Sequence, residues 1–212
     1  MRTTFIFANG EMPYPGKIGC LIQPGDLTIA ADGGYRHARA VGIQPQHLVG
    51  DLDSIDSQDL KEARARGTTL HQYPSKKDQT DLELCIDLAI SLSAERIVIV
   101  GSLGGRTDHL LANIFLLFAD KVRAYEMILT DGIITIGRVG SQKVILGSVG
   151  DLISLLPWGG DAENITTQGL MYPLNRETLP QGSPRGMSNL MTSETASIKV
   201  GLGELLYFHT TI

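Results

Sequence analysis

Strand-like and helix-like patterns alternate through residues 3–130, and this alternation constrains the fold more than any other feature of the chain. β-branched and aromatic runs at 3–7, 27–31, 69–73, 96–100 and 124–130, with a further apolar approach at 48–49, are separated by helical patterns at 35–41, 57–66, 81–92 and 108–118. Ser57 can cap the second of these helices and Gly67 can stop it. Strands joined by helices of this length are βαβ units, which build a mostly parallel sheet with flanking helices, a Rossmann-like α/β domain. Such sheets bind ligands beyond the carboxyl ends of their strands, so the turns there are where chemistry is expected. After Asp131-Gly132 the texture changes. Runs at 133–138, 143–146, 152–156, 162–167, 195–200 and 205–209 are short, β-like and punctuated by glycine, proline and serine, which implies a small all-β sandwich. The expected division is an α/β domain over residues 1–135 and a β-sandwich over 136–212, with 173–189 as a long loop.

Three strand ends carry chemistry-bearing turns. In V-G-D-L-D-S at 49–54, a backbone extended through Leu52 would point Asp51 and Asp53 the same way, because side chains alternate with period two. At about 4 Å two carboxylates repel by roughly 4 kcal/mol at an effective dielectric near 20, so a cation is expected between them. Oxygen ligands alone suit Mg²⁺. The alternative is a turn whose carboxylates cap backbone groups. In K-K-D-Q-T-D at 76–81, Thr80 and Glu83 match a capping box. Asp81 falls on the helix face of Leu84, Cys85 and Leu88, so its carboxylate should face the sheet end; complementing the helix dipole is the simpler role. Lys76 and Lys77 either neutralise phosphate or form a solvated pair.

The third turn is G-S-L-G-G-R-T-D-H at 101–109. Its glycines let backbone N–H groups approach an anion, yet the spacing is neither a P-loop nor a dinucleotide fingerprint. Arg106 suits bidentate phosphate binding, or it pairs with Asp108. The following helix is apolar almost all round, so burial is expected, with Asp108 beside a low-dielectric wall. His109 reads as a structural hydrogen-bond donor, and Asp32-Gly33-Gly34 by itself needs only a tight turn. Gathered at neighbouring strand ends, Asp51, Asp53, Asp81, Asp108, Arg106 and the glycine loop describe metal-assisted phosphoryl transfer. A nucleotide phosphohydrolase could use the same carboxylates, and a binding protein with a decayed site is the non-enzymatic alternative.

Composition narrows the partners. A net charge of -5 argues against broad nucleic-acid or anionic-membrane binding. No run approaches the roughly 18 apolar residues of a membrane span, and the amino end lacks signal-peptide features, so a cytoplasmic enzyme is expected. Cys20 and Cys85 form neither a disulfide framework nor a zinc pattern.

In order and spacing, A-D-G-G at 31–34, G-D-L-D-S at 50–54, K-D-Q-T-D at 77–81 and G-G-R-T-D-H at 104–109 resemble the thiamine pyrophosphokinase family. G-L-M-Y at 169–172 and R-G-M-S-N at 185–189 look like its carboxyl-terminal signature, so the resemblance spans essentially the whole chain. It implies transfer of the diphosphate of ATP to the hydroxyethyl group of thiamine, in a homodimer with active sites between subunits. It further implies that Asp51, Asp53 and Asp81 bind Mg²⁺ and the triphosphate, with Asp108 near the reacting hydroxyl. Asp32, Gly33, Gly34, Ser54, Lys77, Gly101, Gly104, Gly105, Arg106 and His109 would contact ATP. Tyr172 would stack on the cationic thiamine, and Ser188 and Asn189 would hydrogen-bond its pyrimidine. Trp158, in a Leu-Pro-Trp-Gly-Gly setting that reads as a strand-ending turn, is the other ring that could stack.

Overall fold

The computed structural model describes residues 2–212. The chain divides into two compact units, Met1–Gly132 and Ile133–Ile212. In the first, strands β1 (Thr3–Phe7), β2 (Leu27–Ala31), β3 (His47–Gly50), β4 (Thr69–Gln72), β5 (Arg96–Val100) and β6 (Glu126–Thr130) alternate with helices. The helices are α1 (Pro15–Gly19), α2 (Tyr35–Ala40), α3 (Ser57–Ala65), α4 (Asp81–Ser91) and α5 (Thr107–Leu116). The strands pair in the order β4-β3-β2-β1-β5-β6, every pair parallel. The chain winds outward from β1 to β4 and then crosses back to β5, so the order reverses between β1 and β5, where α/β sheets open a ligand crevice.

Burial on both faces follows from helices covering both sides, as the wholly buried L-T-I-A-A of β2 shows. Phe5 and Phe7 alternate onto one face with Ile18, Ala38, Val98 and Val100. Ala30, Tyr35, Leu48, Leu52 and Ala63 form a second cluster. The capping box opens α4: Thr80 Oγ1 accepts from Glu83 N at 3.2 Å and Thr80 N donates to Glu83 Oε2 at 3.0 Å.

Two helical expectations need correction. The cap of α3 is Asp56, whose carboxylate accepts from Gln58 N at 2.7 Å, and Ser57 is the first helical residue. Helix α5 is not buried: Ile114 is its buried residue, while Leu111 and Phe115 are 48% and 58% exposed. An apolar circumference shows that a helix can be buried; whether it is depends on what packs against it. Helix α1, opened by Pro15 in its first turn, had no sequence signal beyond that proline.

The second unit is antiparallel: β7 (Ile134–Val139), β8 (Gln142–Leu146), β9 (Leu152–Gln168), β10 (Asn175–Leu179), β11 (Asn189–Leu190), β12 (Thr195–Lys199) and β13 (Leu202–Thr210). Pairing runs β7-β13-β9-β12-β8, with β10 and β11 also on β9. The first half of β9 pairs with β13 and β11 and its second half with β12 and β10, so one strand serves two sheets. Ile153, Leu155, Ile165, Ile198, Leu205 and Tyr207 belong to the core between them.

Two strands were expected where β9 is continuous, and Trp158 lies within it rather than ending it. Pro157 sits where β9 has one paired neighbour, β13, which is where a sheet tolerates proline. The register shift between Leu202 and Glu204 absorbs the Gly159-Gly160 segment as a bulge. Residues 173–189 are also not one loop, since β10 lies inside them. N-R-E-T-L carries no apolar alternation, and two register shifts with Arg176 at φ 56° break its ladder.

Candidate active site

Three carboxylates meet at the carboxyl ends of β2 and β3: oxygens of Asp32, Asp51 and Asp53 lie within 4.8 Å of one another. They do not meet as a period-two strand would bring them. Strand β3 ends at Gly50, and Leu52 turns left-handed at φ 65°. Leu52 buries its side chain in the Tyr35 cluster while the two aspartates turn back on each other, Asp53 N donating to Asp51 Oδ1 at 3.3 Å. A left-handed leucine is strained by roughly 1–2 kcal/mol and persists only where its surroundings hold it. Asp32, at φ 46°, is a second such residue. Gly50 keeps the space between them open: at φ 151°, a Cβ there would stand 3.0 Å from Asp32 Cβ and 3.4 Å from Asp81 Cγ.

The electrostatics of this group are uneven. Burial pushes the Asp32 carboxyl up, the neighbouring Asp81 and Asp51 charges push the same way, and hydrogen bonds from Ser54 and Gly33 oppose them. Its Oδ1 is buried without a hydrogen-bond partner. Asp51 is held below the usual carboxylate range, first by the Ser75 hydroxyl and then by Asp53 N. Ser54 Oγ donates to Asp53 Oδ1 at 3.1 Å and also lies within reach of Asp32, so its single hydroxyl proton serves one of these two acids at a time. Asp81 stands outside the trio among the described residues, and its Oδ1 faces Lys77 Nζ at 3.0 Å as an ion pair without hydrogen-bond alignment. Lys77 Nζ also donates to Pro74 O at 3.3 Å.

At the β1/β5 reversal, Gly10 N donates to Gly101 O at 2.8 Å and His37 Nε2 meets Gly10 O at 2.7 Å, tying the two strand ends together. Asn9 packs over Gly33 and Glu11 lies against Gly104. Gly104 and Gly105 take φ 83° and 68°, and the space before Gly105 is open. Gly34 is required by packing, since a Cβ there would stand 2.0 Å from Phe7 O. Arg106 holds Asp108 in a two-point pair, Nε to Oδ1 at 3.1 Å and Nη2 to Oδ2 at 2.6 Å, and this holds the Asp108 carboxyl at about 2. Asp108 therefore stays outside the carboxylate trio, and its Oδ1 also accepts from His109 N at 3.0 Å. Ser75, Glu11 and His37 carry no sequence signal, because each reaches the site through a non-local contact.

A cavity of about 230 Å³ opens in the second unit, lined by Leu155, Thr167, Tyr172, Leu174, Arg185 and Asn189, among others. Asn189 Oδ1 accepts from Tyr172 N at 3.0 Å and from Leu190 N at 2.9 Å, and its Nδ2 donates to Tyr172 O at 2.7 Å. The amide therefore fixes Tyr172 and keeps one N–H for a ligand. Ser188, at φ 56°, donates its N–H to Ser154 Oγ at 2.9 Å and is not among the lining residues, nor is Trp158.

The family model for the thiamin pyrophosphokinase catalytic domain matches residues 19–129, and that for the vitamin B1 binding domain matches residues 143–204. Thiamine pyrophosphokinase of Bacillus subtilis is 30% identical over 213 residues, covering 100% of both chains. A crystal structure of thiamine pyrophosphokinase from Bacillus subtilis aligns with a TM-score of 0.90 at 29% identity over 100% of both chains. That of a thiamin pyrophosphokinase family protein from Enterococcus faecalis, at 24% identity and 100% coverage of both, shares the fold with a TM-score of 0.83.

Proposed function

The chain belongs to the thiamin pyrophosphokinase family, and from that premise we propose how its residues perform the family reaction, in which the diphosphate of ATP passes to the hydroxyethyl group of thiamine, giving thiamine diphosphate and AMP. The convergence of Asp32, Asp51 and Asp53 at the strand ends carries the assignment of roles. The donor set fits Mg²⁺: it is all carboxylate oxygen, and the buried, unpartnered Oδ1 of Asp32 is an atom a cation would satisfy. Asp32, Asp51 and Asp53 would hold the ion, with Asp81 beside them. When bound, it offsets charge on the transferring diphosphate.

Lys77, Arg106 and the N–H groups of Gly101, Gly104 and Gly105 hold the phosphates, and His109, Ser54, Gly33 and Gly34 complete the ATP side. Arg106 exchanges Asp108 for phosphate, an equally good bidentate acceptor. Released from Arg106, Asp108 is an ordinary carboxylate, a weak base toward an alcohol. Positioning and charge stabilisation therefore dominate over early proton removal, whether Asp108 or Asp81 finally takes the hydroxyl proton. Tyr172 stacks on the thiamine cation, a contact of about 0.5–2 kcal/mol, with the free N–H of Asn189 beside it, while Ser188, outside the cavity lining, supports the turn that carries Asn189. The family resemblance supports a homodimer with active sites between subunits, working in the cytoplasm. Among the described residues no helix is long and apolar enough to cross a membrane.

The test is AMP release across a thiamine titration. Asp51→Asn and Asp53→Asn are expected to lower turnover by about 100-fold or more at saturating Mg²⁺. Wild-type turnover in both refutes the site, and AMP formed without thiamine points to hydrolysis instead.

A further inference from the structure

Arg185 is among the residues lining the cavity in the second unit, and it carries a positive charge that is awkward for a site that, on the reading above, takes a cation. Arg185 belongs to the short 3-10 turn Pro184–Gly186, and its Nη2 is ion-paired with Glu177 on β10. Both partners are anchored locally. Arg185 N donates to Ser183 Oγ at 3.4 Å, and Glu177 Oε1 accepts from Asn175 N at 3.4 Å. Gly186 seats the turn on β9, where a Cβ would stand 2.2 Å from Leu155 O. The cavity has a volume of about 230 Å³ and opens to solvent.

We propose that Glu177 is a specificity-determining residue of this cavity: by cancelling the charge of Arg185 it lets the wall accept a cationic substrate. Arg185 in turn prevents Glu177 from holding that cation too tightly. The inference rests on thiamine binding at this cavity. Arg185 is half-exposed, which sets the interaction at the high-dielectric end. There, one uncompensated unit charge a ring's breadth away changes affinity about threefold.

The experiment measures thiamine KM and equilibrium binding for the full chain carrying Glu177→Gln, Arg185→Gln or both, at low and high salt, with the neutral aminopyrimidine fragment as control. Glu177→Gln is expected to raise KM about threefold and Arg185→Gln to lower it about threefold, the double variant lying between them. The shifts fall on KM rather than kcat, shrink with added salt, and spare the neutral fragment. Glu177→Asp should restore wild-type behaviour. Shifts of the same sign in both single variants, no shift in either, or equal effects on the neutral fragment overturn the proposal. Tyr172→Ala separates the two levels: if it weakens thiamine binding while the charge variants do not, this inference alone fails. If it too has no effect, thiamine does not bind at this cavity and the underlying reading fails with it.

Discussion

Replacing Leu52 by glycine is expected to cost less stability than replacing it by alanine, the reverse of the usual order in a strand. Leu52 is 7% exposed and packs with Ala30, Tyr35, Leu48 and Ala63, so losing its side chain to alanine should cost about 3 kcal/mol, within the range for buried leucines. Alanine keeps a Cβ and therefore keeps the left-handed strain at φ 65°, about 1–2 kcal/mol. Glycine loses the same packing and removes that strain, at an entropic cost of about 0.5–1 kcal/mol. The balance favours glycine by up to about 1.5 kcal/mol, read as a melting temperature about 2–4 °C above the alanine variant for each kcal/mol in a chain of this size. Urea midpoints at constant m-value provide the second measure. Because both variants keep Asp51 and Asp53, the glycine form should also retain more AMP-forming activity. Alanine more stable than glycine would refute the argument, since it would mean that position 52 carries no left-handed strain.

Two further outcomes follow from the ion pair and the histidine pair. Arg106→Gln should raise the ATP KM by about tenfold or more through loss of a two-point charged contact, leaving the thiamine KM alone. Asp108, now held at about 2, should titrate near its ordinary value by NMR in that variant. His47 Nδ1 lies 3.0 Å from His71 Nε2, and burial pushes both imidazoles below their ordinary value. A lowered value means the unfolded chain takes up protons first. Stability is therefore intact above about pH 6.5 and falls as the pH drops toward the folded-state values. His71→Gln should flatten that slope in melting temperatures taken from pH 8 to 5, and an unchanged slope assigns it to other groups.

Much of this protein was legible from local pattern. The alternation of 2.0 and 3.6 periods specifies the βαβ series, and because right-handed crossovers leave few ways to assemble it, the pattern by itself points to the strand-end turns as the site. Thr80 and Glu83 announced a helix start because a capping box is complete within four residues. What the tertiary structure alone decided involved partners distant in the chain or a backbone choice that neighbours impose. Asp32 joins Asp51 and Asp53 because β2 lies beside β3, and Leu52 turns left-handed because a hydrophobic cluster holds it. Phe115 is exposed on a helix whose composition predicts burial, and β9 runs through Pro157 because its other side is unpaired there. Periodicity is written into consecutive residues. Burial, convergence of charge and strained dihedrals are properties of what the rest of the fold places around them, and no window of sequence contains that.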